Sequence, residues 1–149
     1  MKSEEIIISN SSKNTYDFGV QIAKGIKNGI FGKRRLVCLQ GILGSGKTVF
    51  AKGFLKEFGI TTRILSPTFT ISKTYEIQEK TIWHFDLYRM LDASDAMAIG
   101  MKEVLSDANA IVLIEWSEKI SEFLPSKRID VRIEVIGDTS REIVLNVLG

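Results

Sequence analysis

Residues 41–48, Gly-Ile-Leu-Gly-Ser-Gly-Lys-Thr, fit the pattern G-x-x-x-x-G-K-[ST], and no other stretch of the 149 residues restricts the fold as strongly. Glycines at 41, 44 and 46 let the backbone wrap closely, so that successive N–H groups converge on phosphate oxygens. A helix starting at Lys47 adds the positive end of its dipole. Lys47 is then placed to reach the β- and γ-phosphates, and the Thr48 hydroxyl to join a Mg²⁺ shell. The flanks agree with this reading. Leu36-Val37-Cys38-Leu39 is a continuous apolar run suited to a strand buried on both faces. Phe50, Phe54, Leu55 and Phe58 recur at helical spacing until Gly59. Chance produces the eight-residue pattern in well under about 1% of chains this long. The alternative, a glycine-rich turn with no ligand, is the weaker one. The loop implies a bound nucleoside triphosphate.

The other elements fall around this unit without repeats, linkers or low-complexity segments, which predicts one domain over 1–149. Glu5 to Ser9 reads as a strand. Asn10, Ser11 and Ser12 can cap a helix carrying Phe18, Ile22 and Ile26, ended by Gly29 or Gly32. Thr68 to Ile77 alternates and pairs with Thr81 to Leu87 as a hairpin. A helix is expected within 92–106, with Met97, Met101, Val104 and Leu105 on one side. Ile111 to Ile114 is a second buried run, and 117–127 is ambiguous. Ile129 to Val135 and Ile143 to Val147 alternate around Gly137-Asp138 as a second hairpin. The predicted class is α/β, a P-loop NTPase three-layer sandwich. Its mixed sheet has 36–39 and 111–114 central and parallel, with antiparallel strands from the hairpins.

Composition narrows the setting. One cysteine excludes an internal disulfide and a cysteine-based zinc site, pointing to a reducing compartment. No apolar run nears the roughly 20 residues of a membrane span, and the N-terminus lacks the pattern of a secretory signal. A cytoplasmic protein is expected. Residues 1–80 carry 13 Lys/Arg against 6 Asp/Glu, whereas residues 81–149 carry 7 against 12. Ordinary surface variation accounts for most of this; a basic half for the triphosphate and an acidic half for the metal is compatible with it.

Two acids close apolar segments and compete for the metal: Glu115 after Ile111-Val112-Leu113-Ile114, and Asp86 after Ile82-Trp83-His84-Phe85. The purer apolar run favours Glu115. Neither D-x-x-G nor N-K-x-D is present, which favours an ATPase over a GTPase. Two other classes stay open on the residues alone. One is a small-molecule kinase with Asp86 as base and Arg89 as clamp, and the other is a nucleotide-gated binding module without useful hydrolysis.

Taken in order, G-I-L-G-S-G-K-T at 41–48, S-P-T-F-T at 66–70, H-F-D-L-Y-R at 84–89 and I-E-W at 114–116 resemble the TsaE (also called YjeE) family. These are small bacterial P-loop ATPases of tRNA threonylcarbamoyladenosine formation. The resemblance spans nearly the whole chain; Ser45 replaces the family's usual alanine. It implies ATP on Leu43, Gly44, Ser45, Gly46, Lys47 and Thr48, with Mg²⁺ held by Thr48 and Glu115. Asp86 matches a second acid needed for hydrolysis, in the metal's outer shell or orienting the attacking water. Lys47, Asp86 and Glu115 are thereby the expected catalytic set. Ser66, Pro67 and Thr68 match a switch-like segment near the γ-phosphate, and the regions of Ser12 and Ser140 match places bordering the nucleotide. The implied partner is a TsaB–TsaD pair that modifies adenosine 37 of tRNAs reading codons that start with A, so tRNA is met only through that pair. Activity alone is expected to be weak. His84 and Cys38 read as structural, Trp83 as core, and Trp116 equally as packing or partner surface. Tyr88 could face the nucleotide or a partner.

Overall fold

A computed structural model of the chain describes residues 3–60, 72–98 and 100–149. Seven strands form one sheet: β1 (Ser3–Ser9), β2 (Leu36–Gln40), β3 (Ser72–Ile77), β4 (Lys80–Asp86), β5 (Ala110–Glu115), β6 (Arg128–Val135) and β7 (Arg141–Leu148). Their spatial order is β1-β7-β6-β2-β5-β4-β3. The two apolar runs, β2 and β5, are parallel neighbours, with Cys38 opposite Ile114. β4 extends the parallel part beyond β5, and β6 extends it beyond β2. The two hairpins then add antiparallel strands, β3 on β4 and β7 on β6, and β1 closes the far edge on β7. The α/β class and the mixed sheet are those expected.

Both faces of the central strands are covered, which is why residues 36–39 and 110–114 are apolar throughout. Val37, Leu39, Ile111 and Leu113 face one core, shared with α1 (Ser12–Lys27) and α2 (Lys47–Glu57). Leu36, Cys38, Val112 and Ile114 face the other. That second core is closed by α3 (Ser94–Ala98), α4 (Met101–Ser106) and a 3-10 helix over Ser117–Phe123, through Ala96, Met101 and Ile120. The single helix expected within 92–106 is two. Gly100, at φ +80°, has a left-handed backbone and is the residue from which α4 starts. The ambiguous stretch 117–127 is the 3-10 helix and the approach to β6.

The helices α1 and α2 meet through glycines. A Cβ on Gly19 would lie 2.2 Å from the Phe50 carbonyl oxygen, and one on Gly53 would lie 2.0 Å from that of Tyr16. Backbone therefore touches backbone at the crossing, with Phe18 against Phe50 alongside at 5.9 Å between ring centroids. This close approach carries the N-terminus of α1 to the start of α2. There Ser11 caps α1 by accepting the Asn14 N–H at 3.1 Å, and Thr15 shares a 2.7 Å hydroxyl contact with Ser9.

Candidate functional site

The loop expected to cradle phosphate leaves the C-terminal end of β2 and enters α2 at Lys47. Two of its glycines are structurally required. Gly41 (φ +150°) sits where a Cβ would come within 2.5 Å of the Ile133 carbonyl oxygen, and Gly46 (φ +116°) turns the chain into the helix. Lys47 is buried, and its Nζ donates to the carbonyls of Gly41 and Ile42 (2.9 Å for the latter). The ammonium also lies 4.1 Å from the centroid of the Trp116 ring, within cation–π range. Burial pushes the Lys47 pKa below its ordinary value, and the nearby Glu115, Glu118 and Asp86 carboxylates pull it back up.

Side-chain alternation brings the acids to the same place. On β5, Leu113 points toward α2, so Glu115 does as well; on β4, Ile82 sets the same direction for His84 and Asp86. Asp86 and Glu115 are register partners at the ends of their strands. Glu115 is almost fully buried, and its two oxygens have different tasks. Oε1 accepts from the Thr48 hydroxyl at 3.2 Å, while Oε2 lies 2.6 Å from His84 Nε2. Asp86 Oδ1 accepts from the Tyr88 N–H at 3.1 Å. Burial raises the Asp86 pKa above its ordinary value and the Glu115 charge raises it further, against the lowering pull of that N–H, His84 and Lys47. A hydroxyl and a carboxylate meeting at the mouth of a phosphate-type loop are hard oxygen donors. That set fits Mg²⁺, which takes one or two protein oxygens and fills its shell with phosphate and water. Glu115 is the acid at Thr48, and Asp86 stands beside it.

A cleft of about 260 Å³ opens next to the loop. Ser11, Ser12 and Thr15 of the α1 start line its wall together with Ser45 and Gly46 of the loop and Asp138 and Arg141. Ser12 is thus in the wall, while Ser140 stands in the turn behind it, where its carbonyl accepts from Arg141 Nη1 at 3.0 Å. Arg141 was not singled out by sequence reasoning. Its Nε donates to the Ser45 carbonyl at 2.9 Å and its Nη2 to that of Gly44 at 3.4 Å, so the first residue of β7 braces the loop from outside. Its only sequence signal is an arginine just after a hairpin turn.

Other residues fall as follows. Leu43 and Gly44 are exposed at the loop tip, and Ser45 is buried with its hydroxyl 3.4 Å from Lys47 Nζ. Trp116 adopts φ +62° directly after β5, which turns its ring over Lys47 and against Tyr88, 5.2 Å between centroids. Lys119 donates to the Tyr88 carbonyl and, at 3.0 Å, to that of Met90, which ties the turn after β4 to the 3-10 helix. Cys38 is buried in the second core, where burial pushes its thiol pKa far up and leaves it an inert hydrophobe. Arg89 is exposed in the turn after β4. Ser66, Pro67 and Thr68 lie outside the described residues. Among the described residues, no helix is long and apolar enough to cross a membrane.

Comparison with known proteins gives the same answer from three directions. The family model described as "Threonylcarbamoyl adenosine biosynthesis protein TsaE" matches residues 9–143. The tRNA threonylcarbamoyladenosine biosynthesis protein TsaE of Rickettsia bellii is 38% identical over 135 residues, covering 90% of this chain and 89% of that protein. Its namesake from Bacillus subtilis is 40% identical over 114 residues, covering 76% and 70%. The crystal structure of Bacillus subtilis YdiB superposes with a TM-score of 0.76 at 30% identity, covering all of this chain and 88% of that one. The chain described here belongs to the TsaE family.

Proposed function

We propose that this chain is a Mg²⁺-dependent ATPase of the cytoplasm that serves tRNA threonylcarbamoyladenosine biosynthesis through a TsaB–TsaD-type complex. The observation that carries the reading is the Thr48 hydroxyl 3.2 Å from the Glu115 carboxylate, at the start of α2 and beside the loop that holds Lys47. In this reading the N–H groups of residues 43–48 and the Lys47 ammonium bind the triphosphate, and the α1 start with the 138–141 turn walls in the nucleoside. Thr48 and Glu115 hold the metal, which when bound neutralises charge on the β- and γ-phosphates. Asp86, with its raised proton affinity and an orientation fixed by the Tyr88 N–H, is suited to align a water and accept its proton. The printed names of the relatives support the assignment to tRNA modification. The partner pair and the order of events belong to the proposal.

The test is nucleotide binding and phosphate release by wild type, Lys47→Ala, Glu115→Gln and Asp86→Asn, each with and without a TsaB–TsaD pair. Lys47→Ala should abolish both. Glu115→Gln should weaken Mg²⁺-dependent binding more than Asp86→Asn, which should chiefly slow turnover. Wild-type behaviour of Lys47→Ala would remove the site. Phosphate appearing on a hydroxyl acceptor instead of in solution would make the chain a kinase.

A further inference from the structure

His84 is the one histidine of the chain, fully buried in the middle of the site's wall on β4. Its Nε2 lies 2.6 Å from Glu115 Oε2. Among the described residues, its Nδ1 is the buried side-chain polar atom without a hydrogen-bond partner. The first of these facts identifies the donor. An ionised carboxylate only accepts, so the contact at Nε2 requires an N–H there. Nε2 is therefore the donor to Glu115 when that carboxylate is ionised, as a metal ligand must be.

The consequence lies in Glu115. A carboxylate on a flexible side chain can rotate either oxygen toward Thr48, or neither. With Oε2 tied to a ring that the strand and both neighbouring strands hold rigid, Oε1 is the oxygen left facing the Thr48 hydroxyl. We propose that His84 is a positioning residue: its Nε2–H holds Glu115 Oε2 so that Oε1 is presented, with Thr48, to the metal. The proposal rests on the reading of Glu115 as a metal ligand, and it assigns no direct contact with substrate or metal to His84 itself.

Two measurements on the full chain test it. In untagged protein labelled with ¹⁵N in imidazole, the single histidine gives one spin system. It should show a pyrrole-type, protonated Nε2. A proton on Nδ1 in place of Nε2 would overturn the proposal without any variant being made. The second measurement is the Mg²⁺ concentration giving half-maximal binding of a fluorescent ATP analogue, set beside binding in excess EDTA. His84→Phe, which keeps a ring and loses the donor, should need about tenfold more Mg²⁺, the usual scale for losing a partner of a metal ligand. His84→Gln places an amide N–H where Nε2 stood and should stay within about threefold of wild type. Binding in EDTA should be unchanged in both. If Glu115→Gln shifts the Mg²⁺ requirement and folded His84→Phe does not, the positioning role is wrong. If Glu115→Gln shifts nothing, the metal reading itself has failed. Should His84→Phe not fold, a His84→Gln variant that behaves as wild type, together with the protonated Nε2, upholds the role, and a tenfold shift in His84→Gln opposes it.

Discussion

Gly53→Ala sets two physical arguments against each other. Gly53 is inside α2, where alanine is favoured over glycine by about 0.5–1 kcal/mol. Propensity alone therefore predicts a more stable protein. The crossing predicts the opposite, because the new Cβ would sit 2.0 Å from the Tyr16 carbonyl oxygen. Ordinary contact begins near 3.4 Å, so α1 and α2 must part by about 1.4 Å. The obstacle is backbone and cannot rotate aside. Overpacking of this kind costs about 1–3 kcal/mol or somewhat more. After subtracting the propensity gain, a net loss of about 1–2 kcal/mol is expected, which for a chain of this size lowers Tm by about 2–8 °C. Circular-dichroism melts and urea titrations of wild type and variant measure it. Gly25→Ala is the control, since the atoms nearest its Cβ belong to the Phe31 ring, a half-buried side chain that can shift where a backbone carbonyl cannot; its loss should be smaller. Separation at the crossing also shifts the α1 start against Ser45 and Gly46, so nucleotide affinity should fall with stability. A Gly53→Ala protein as stable as wild type, or more so, would refute the claim that backbone contact sets the helix spacing.

Arg141→Ala removes the donors to the Gly44 and Ser45 carbonyls, and about a tenfold loss of Mg²⁺–ADP affinity is expected by calorimetry from charge-assisted bonds of this kind. Arg141→Lys should recover little, because a single ammonium does not reproduce the fork. Unaltered affinity in Arg141→Ala would show that the loop keeps its shape unaided. Asp86→Asn should stabilise the fold near neutral pH by about 0.5–2 kcal/mol while impairing turnover. The sign follows from the raised Asp86 pKa. The folded state binds the proton more tightly than the unfolded chain, so stability falls as pH climbs from the ordinary carboxylate value to the raised one, and stays lower above it. Urea unfolding at pH 4 and pH 7.5 should show the gain shrinking at the acid end; a gain independent of pH would mean that the charge is not its source.

The parts of the site visible in the sequence are those with a local signature. Loop geometry requires particular residues at fixed offsets, so Gly41 to Thr48 could be read directly. Apolar runs closed by an acid similarly marked Glu115 and Asp86 as strand ends. The links between segments were not legible. His84 and Glu115 meet only because β4 and β5 are parallel neighbours in one register, and nothing in either segment states that register. Arg141 binds backbone carbonyls, which every residue possesses, so no side-chain partner announces it. The break at Gly100 escaped for a different reason. Apolar spacing at Met97, Met101, Val104 and Leu105 continues across it, and periodicity does not register one residue with positive φ.

The loop is complete as a stretch of chain by residue 48, yet its supports arrive much later, Glu115 67 positions after Thr48 and Arg141 96 positions after Ser45. A nascent chain emerging from the ribosome with β2, the loop and α2 already outside thus carries the signature without the site. The contacts of Arg141 with the loop carbonyls wait for the final hairpin to close. On the proposed reading of the site, nucleotide would bind finished molecules more tightly than chains still lacking β7, and mass action would then favour the finished ones.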